Sequence, residues 1–320
     1  MRRAAALVLT PLIAALALAG CGSSPSSSSS ASSSATADTY TSVTATGTFG
    51  KAPTVTIPST TGSGALYSKT VIQGSGSTLT TKDALIGNFV MYDWSGKTHK
   101  LIGSTFSNGV PTLFAGTLLP GLEKALIGQK MGSRVLAVIP PADAFGSTGN
   151  SEIGIKAKDT VVFVVDMIKS VGNTQGATGK QTSNGGGTLP TVTPGAAGKS
   201  PTITIPKTAA PKTLQVKTLI KGSGAVVKKG QYIVIQYTGV NWRTKTTFDS
   251  SWSRSEPWAT QIGEGQVIKG WDSGLVGQTV GSRVLLVIPP ADGYGSTGDS
   301  TAGIKGTDTL VFVVDIIAAQ

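Results

Sequence analysis

The chain has 320 residues, 13 % of them charged, and its 27 Lys and Arg against 16 Asp and Glu give a formal charge of +11 at neutral pH. That length accommodates two ordinary domains. The basic excess is not gathered into a run, so no nucleic-acid partner is expected; one histidine and one cysteine exclude an intramolecular disulfide and leave little material for a His-dependent triad or a Cys/His metal site.

In chain order, residues 1–20 read as a targeting segment, with Arg2 and Arg3 ahead of an apolar stretch from Ala4 to Ala19 that Pro11 interrupts. Leu18-Ala19-Gly20-Cys21 resembles the lipobox of bacterial lipoproteins, which implies lipidation of Cys21 and an extracytoplasmic, membrane-anchored chain. An ordinary signal peptide that contains a cysteine, or a short membrane anchor, are the alternatives. Residues 21–50, dominated by Ser from Ser23 to Ser34, read as a disordered tether. Residues 51–170 form a first domain, 171–199 a Gly/Thr/Pro-rich linker, and 200–320 a second domain.

The two domains are copies. Lys51-Ala52-Pro53-Thr54-Val55-Thr56-Ile57-Pro58 returns as Lys199-Ser200-Pro201-Thr202-Ile203-Thr204-Ile205-Pro206, and Gly132 to Asp166 matches Gly281 to Asp315 at 26 of 35 positions without a gap. A repeat this long suits a domain that buries its own core. In the second copy, Tyr232–Tyr237, Arg283–Ile288 and Thr309–Ile317 are β-branched and aromatic runs bounded by turn formers, which predicts strands. Apolar positions 267, 268, 271 and 275 fall at helical spacing, which predicts one short helix. The fold class is α+β: in each copy an antiparallel sheet covered by one helix.

Five motifs follow in order: Gln236-Tyr237-Thr238-Gly239, Phe248-Asp249-Ser250-Ser251, Val267-Ile268-Lys269-Gly270-Trp271, Gly293-Tyr294-Gly295-Ser296-Thr297-Gly298 and Thr309-Leu310-Val311-Phe312. In these the second copy resembles the FKBP-type peptidyl-prolyl cis-trans isomerases, the receptors of the macrolides tacrolimus and rapamycin. The resemblance implies a half-barrel sheet wrapped around the helix, with an apolar pocket for a proline ring between them. Trp271 would floor that pocket. Tyr237, Phe248, Val267, Ile268 and Phe312 would line its walls, and Ile304 and Trp258 its rim. Tyr294 would donate its phenolic hydrogen to a substrate carbonyl, Asp249 would sit at the edge with Arg254 as its partner, and the Ile268 N–H would offer another donor. Tyr237, Asp249 and Tyr294 are then the candidate catalytic residues. The implied partners are proline-containing segments of secreted proteins and a macrolide as a further candidate ligand.

Such a site suits the chemistry. Rotation about a prolyl bond crosses a barrier of roughly 18–20 kcal/mol set by amide resonance, and no bond breaks. A dry aromatic site with fixed donors can favour the twisted imide, with no nucleophile, metal or cofactor. The same aromatics could instead be plain core, but the polar tips of Tyr237, Asp249 and Tyr294 argue otherwise. A non-catalytic chaperone or peptide-binding module is the alternative function; an adhesion protein of immunoglobulin-like type would have no pocket. In the first copy, alignment sets Phe89 against Tyr237, Leu101 against Phe248, Ile102 against Asp249, Leu122 against Trp271 and Phe145 against Tyr294. Every polar tip is gone, so this copy is expected to fold without catalysing, as a spacer, a peptide platform or a dimerisation surface. Trp94 and the lone His99 do not decide among these.

Overall fold

The computed structural model describes residues 38–320. The targeting segment, Cys21 and the Ser23–Ser34 tract lie outside the described residues.

The first copy comprises β1 (Thr44–Thr46), β2 (Thr54–Thr56), β3 (Tyr67–Ile72), β4 (Asp83–Ser95), β5 (Thr98–Ser104), β6 (Thr112–Phe114), α1 (Pro120–Leu126), β7 (Arg134–Ile139) and β8 (Thr160–Gly172). The second comprises β9 (Lys180–Gln181), β10 (Thr191–Thr193), β11 (Thr202–Thr204), β12 (Gln215–Lys221), β13 (Tyr232–Asn241), β14 (Thr247–Ser250), β15 (Trp258–Gln261), α2 (Lys269–Leu275), β16 (Arg283–Ile288) and β17 (Leu310–Ala319). Each copy forms an antiparallel sheet: β3-β7-β8-β4-β5 with β6 also on β4, and β9-β12-β16-β17-β13-β14 with β15 also on β13. The order is the same in both, apart from β9. This is the expected α+β architecture, with α2 beginning two residues later than the apolar spacing predicts, because Ile268 precedes it as an extended N-cap (φ -60°, ψ 144°).

β7 and β16 are buried along their whole length. Alternate residues of a strand point to opposite faces, so both faces of each sheet must be covered. On one face Leu122, Ala125 and Leu126 of α1 pack against Val135, Ala137, Val161 and Phe163. On the other, Tyr40, Val43, Ala45 and Ile57 pack against Leu136, Val138, Val162 and Val164. The second copy repeats this, with Val192 and Ile205 set against Leu285, Val287, Val311 and Val313. The repeated Thr-x-Thr words are therefore β2 and β11, each the second strand of a two-stranded cover, β1–β2 or β10–β11. The helix lies close because residue 270 is glycine: a Cβ there would stand 2.6 Å from Ile288 Cγ2.

Two expectations change here. Residues 38–50 were expected to belong to a disordered tether, yet they hold a short 3-10 turn (Tyr40–Ser42) and β1, and the Tyr40 hydroxyl shares a 2.8 Å hydrogen bond with Thr160 Oγ1. Likewise 171–199, read as a linker, completes β8 and supplies β9 and β10. The reason is hydrophobic cover: single apolar residues spaced among Thr and Ser suffice to seal a sheet face that would otherwise meet water.

Arg134 and Asp166, directly opposite on β7 and β8, form a fully buried bidentate pair at 2.6 and 2.8 Å. Arg283 and Asp315 repeat it at 2.6 and 2.7 Å. The two copies also share a core: Ala84, Ile86 and Val171 of the first pack with Val234, Ile317 and Ala318 of the second, and the Leu113 N–H donates to the Tyr232 hydroxyl at 3.0 Å.

At the far end of the first sheet, Asp93 stands where the second copy has Asn241. Asn241 Nδ2 donates to Asp308 at 2.7 Å and Arg243 adds two bonds of 2.7 Å, which hold the Asp308 carboxyl below the usual carboxylate range. In the first copy a second carboxyl faces the first, with Ser95 in place of Arg243, and burial followed by the nearby Asp159 pushes Asp93 up to about 6. A raised acid contributes most stability below its unfolded value near 3.8 and loses it as pH rises through about 6. The substitution Asp93→Asn should therefore stabilise the first domain at neutral pH by roughly 1–3 kcal/mol and flatten its stability between pH 4 and 7. Denaturant midpoints across that range test this; an unchanged slope would refute the paired-carboxyl account.

Candidate active site

The second copy gathers the expected residues at one end of its sheet, on the helix side. Tyr237 enters from β13 and Phe312 from β17, two neighbouring strands; Phe248 and Asp249 come from β14, and Trp258 from β15. Trp271, in the first half of α2, meets Phe312 edge-to-face at 5.1 Å and Tyr237 at 5.3 Å between ring centres. Phe248 meets Phe312 at 5.4 Å, and Trp258 lies 5.8 Å from Trp271 and 6.0 Å from Tyr237. All of these are edge-on or tilted arrangements, the geometry aromatic quadrupoles favour. Gly239 makes the Phe248 contact possible, since a Cβ there would stand 2.6 Å from that ring. Val267 and Ile268 are half-buried against the same cluster. Trp258 and Tyr294 are partly exposed, as rim residues should be, whereas Ile304, also expected at the rim, is buried in the core behind it. Packing of the 299–304 turn against Phe312's cluster accounts for that difference.

Above the aromatic floor lies one polar knot. The Tyr237 hydroxyl donates to Asp249 Oδ2 in a short hydrogen bond; Arg254 reaches Asp249 Oδ1 at 2.6 Å and the Tyr237 oxygen at 3.0 Å, and its guanidinium sits 5.9 Å from the Tyr237 ring centre. Burial, reinforced by the Asp249 carboxylate, pushes the Tyr237 phenol well above the ordinary tyrosine value. Burial also raises Tyr294, helped by the charges of Asp299 and Asp249. Three donors at the site have no hydrogen-bond partner among the described residues: the Tyr294 hydroxyl, the Ile268 N–H and the buried Trp271 Nε1. Nothing in the cluster resembles a metal site, and no group of three or more His, Cys, Asp or Glu able to hold one occurs among the described residues.

Support for Tyr237 comes from residues that the sequence reading left without a role. Ser251 Oγ accepts the Tyr237 N–H at 2.8 Å and itself bonds Gln236, whose amide donates to the Asn173 carbonyl at 2.7 Å. Asp272 ties down the preceding loop through the N–H groups of Gly263 and Gly265, at 2.7 and 2.8 Å. Gln236 and Ser251 belong to two of the five motifs, so the words pointed to them although their task did not.

In the first copy Phe89, Leu122 and Phe145 take the expected places, but the β5 assignment moves by one residue. A register shift between Met91 and Tyr92 pairs Tyr92 with Leu101 and Met91 with Gly103, while the second copy pairs Val240 with Thr247 and Gly239 with Asp249. Ile102 thus corresponds to Phe248 and Gly103 to Asp249, which explains why Leu101 is half-exposed and Ile102 packs on the core. No carboxylate among the described residues faces Phe89, which instead meets Phe114 edge-on and Phe163 at a tilt, at 5.8 and 5.9 Å between ring centres.

The Tyr237 proton sets a pH dependence. The folded chain keeps this proton at pH values where the unfolded chain, titrating near 10, loses it; the contribution is complete below about pH 10 and fades as pH climbs toward the folded value. Stability should fall above pH 10, and Tyr237→Phe should shed less stability over that interval than the unsubstituted chain. Unfolding midpoints from pH 9 to 11 check this, and equal slopes would contradict it.

A sequence profile of the FKBP-type peptidyl-prolyl cis-trans isomerases matches residues 80–168 and 224–317, together more than half of the chain. The FK506-binding protein of Streptomyces anulatus is 39 % identical over 120 residues, 38 % of this chain and 97 % of that protein. The probable FK506-binding protein of Corynebacterium glutamicum is 38 % identical over 121 residues, 38 % of this chain and 99 % of its own length. Among solved structures, FkpA from Escherichia coli is similar at 34 % identity over 33 % of this chain and 48 % of that one, with a TM-score of 0.31. Each matched region spans most of one of the two sheets described above, and this chain belongs to the FKBP-type peptidyl-prolyl cis-trans isomerases, with two of their domains in tandem.

Proposed function

We propose that catalysis resides in the second domain alone, and that the protein acts outside the cytoplasmic membrane, held there by lipid on Cys21, on prolyl bonds of secreted proteins. The observation that carries this reading is the contrast between the copies. One sets Tyr237, Asp249 and Arg254 over Trp271, Phe248 and Phe312; the other has apolar rings and Gly103 at the matching places.

In this reading the prolyl ring rests on the Trp271 indole between Tyr237, Phe248, Val267 and Phe312, with Trp258 closing over it. Withdrawal from water disfavours the planar, more polar amide relative to the twisted form. The unclaimed Tyr294 hydroxyl and Ile268 N–H are the donors for the carbonyls on either side of the imide. Asp249 and Arg254 hold the Tyr237 ring in one orientation, so that the wall is pre-formed for the twisted geometry rather than for the ground state. Macrolides of the kind the relatives are named for are candidate ligands of the same surface. The basic, membrane-tethered chain would meet its clients as they emerge from export.

Catalysed cis-to-trans relaxation of a short X-Pro peptide by the whole chain tests the reading. Asp249→Gly, which copies the first domain, and Tyr237→Phe should each lower kcat/KM about 10- to 150-fold, as expected for loss of a hydrogen bond to a charged group. Trp271→Leu combined with Asp249→Gly should leave no acceleration above the uncatalysed rate. Full residual activity in that double variant would assign catalysis to the first domain and reverse the proposal.

A further inference from the structure

The copies differ behind the sheet as well as in front of it. In the first, the loop between β1 and β2 seals the buried ion pair: the Lys51 carbonyl accepts from Arg134 Nη2 at 2.6 Å, and the Gly50 N–H donates to Asp166 Oδ2 at 2.6 Å. By the repeat, Gly198 and Lys199 hold the matching places between β10 and β11, yet neither bonds Arg283 or Asp315. The segment 174–177 has come between them. Its Ala177 N–H takes Asp315 Oδ2 at 2.9 Å, and Gly198 lies against Thr174, whose Oγ1 would be 3.1 Å from a Cβ placed there.

This displacement leaves an open pocket of about 310 Å3, lined by Arg283, Trp252, Lys199, Ile220 and residues 194–198 among others. The volume is at the lower end of the range typical of small-ligand sites. A guanidinium has five N–H bonds; Asp315 takes one from Nε and one from Nη2, and the other three have no partner among the described residues. In the sibling domain the equivalent position holds an oxygen acceptor, the Lys51 carbonyl. The open end of the guanidinium is a two-pronged fork that matches the two oxygens of a carboxylate. Asp315 offsets the Arg283 charge, so Lys199 supplies the surplus positive charge, and the Trp252 indole with Ile220, Ala177 and Pro194 offers apolar wall.

We propose that this cavity is a second ligand site of the protein, for a carboxylate carried on an apolar or aromatic body: either a small free acid or the terminal carboxylate of a peptide. It lies on the opposite side of the sheet from the aromatic cluster and does not depend on which domain catalyses.

Calorimetric titration of the whole chain with N-acetyl-phenylalanine and with N-acetyl-phenylalanine amide tests it. The acid should bind saturably and at least about 10-fold more tightly than the amide, by loss of the charge-assisted fork. The exposed-residue substitutions Ala197→Trp, which fills the cavity, and Lys199→Ala should each weaken acid binding several-fold without shifting the melting transition; the pair of variants keeps the result readable should one of them misfold. Acetyl-Ala-Ala-Phe with a free and with an amidated C-terminus separates the two sources: binding of the free-ended peptide extends the site to chain termini, and its failure beside a bound free acid restricts the site to small acids. Absence of saturable binding, equal binding of acid and amide, or an affinity unmoved by both substitutions overturns the proposal.

Discussion

The rest of each domain is arranged around a bidentate arginine–carboxylate pair between its two central strands. Arg134 with Asp166, and Arg283 with Asp315, occupy directly opposed positions and are almost or wholly shut from water. Taking both charges from water costs about as much as their attraction returns, so such a pair adds little net stability. Its effect is on alternatives. A slip of one residue would part arginine from acid, bury two lone charges and turn every apolar side chain to the wrong face. The pair also sets a demand on whatever covers it, because its remaining oxygens and N–H groups need partners. In the first domain the cover loop answers in part with Gly50 and Lys51, leaving the buried Arg134 Nη1 without a partner among the described residues; in the second the incoming chain answers in part with Ala177.

With that scaffold common to both, the copies put different chemistry at the end of the sheet where β14 and α2 meet. The second accepts a tyrosine, an acid and an arginine over four aromatic rings, along with a buried indole N–H left unpartnered. A domain selected for stability alone would not keep such groups half out of water. The first has resolved the same place in favour of packing: Phe89 on Phe114 and Phe163, with Gly103 where an acid would stand. Its own departure lies two residues further along the same strands, beyond the Met91–Phe163 pairing, where Asp93 faces Asp159 without an arginine. Each domain thus tolerates unfavourable polar arrangements, and not at matching places.

Most of the fold could be read from residue patterns, and the exceptions share a cause. The apolar runs at 283–288 and 309–317 indicated strands, though not that both of their faces are covered, and the five motifs located Tyr237, Asp249, Trp271 and Phe312 in one cluster. The cover hairpins escaped notice because a strand with one inward residue, such as Thr44-Ala45-Thr46, differs from a polar tether only in what it rests upon. The one-residue displacement at Leu101 and Ile102 escaped for a related reason: a bulge alters register without altering composition. Ile304 is similar, since its burial depends on a turn folding back over it. What composition and spacing record is the preference of a segment; they do not record which surface it meets.

That limit bears most on the first domain. The shared cluster is built from equivalent parts of the two copies, because Ile86 pairs with Leu113 and Lys169 just as Val234 pairs with Ala259 and Ala318. Such like-on-like contact is the signature of an isologous interface, here formed within one chain. A mere spacer has no need to share a core with what it spaces. Ala84, Ile86, Val234 and Ala318 are fully buried in this contact, and separating the copies would expose them together with the Tyr232 hydroxyl and the Leu113 N–H that satisfy each other. The contact also runs beside β15, so the strand that brings Trp258 to the rim of the aromatic cluster is backed by β6 of the neighbouring domain. The lack of these polar groups in the first site is therefore compatible with its fold: the second domain packs on its neighbour as a surface, and a surface requires the sheet but not the tyrosine, the acid or the indole.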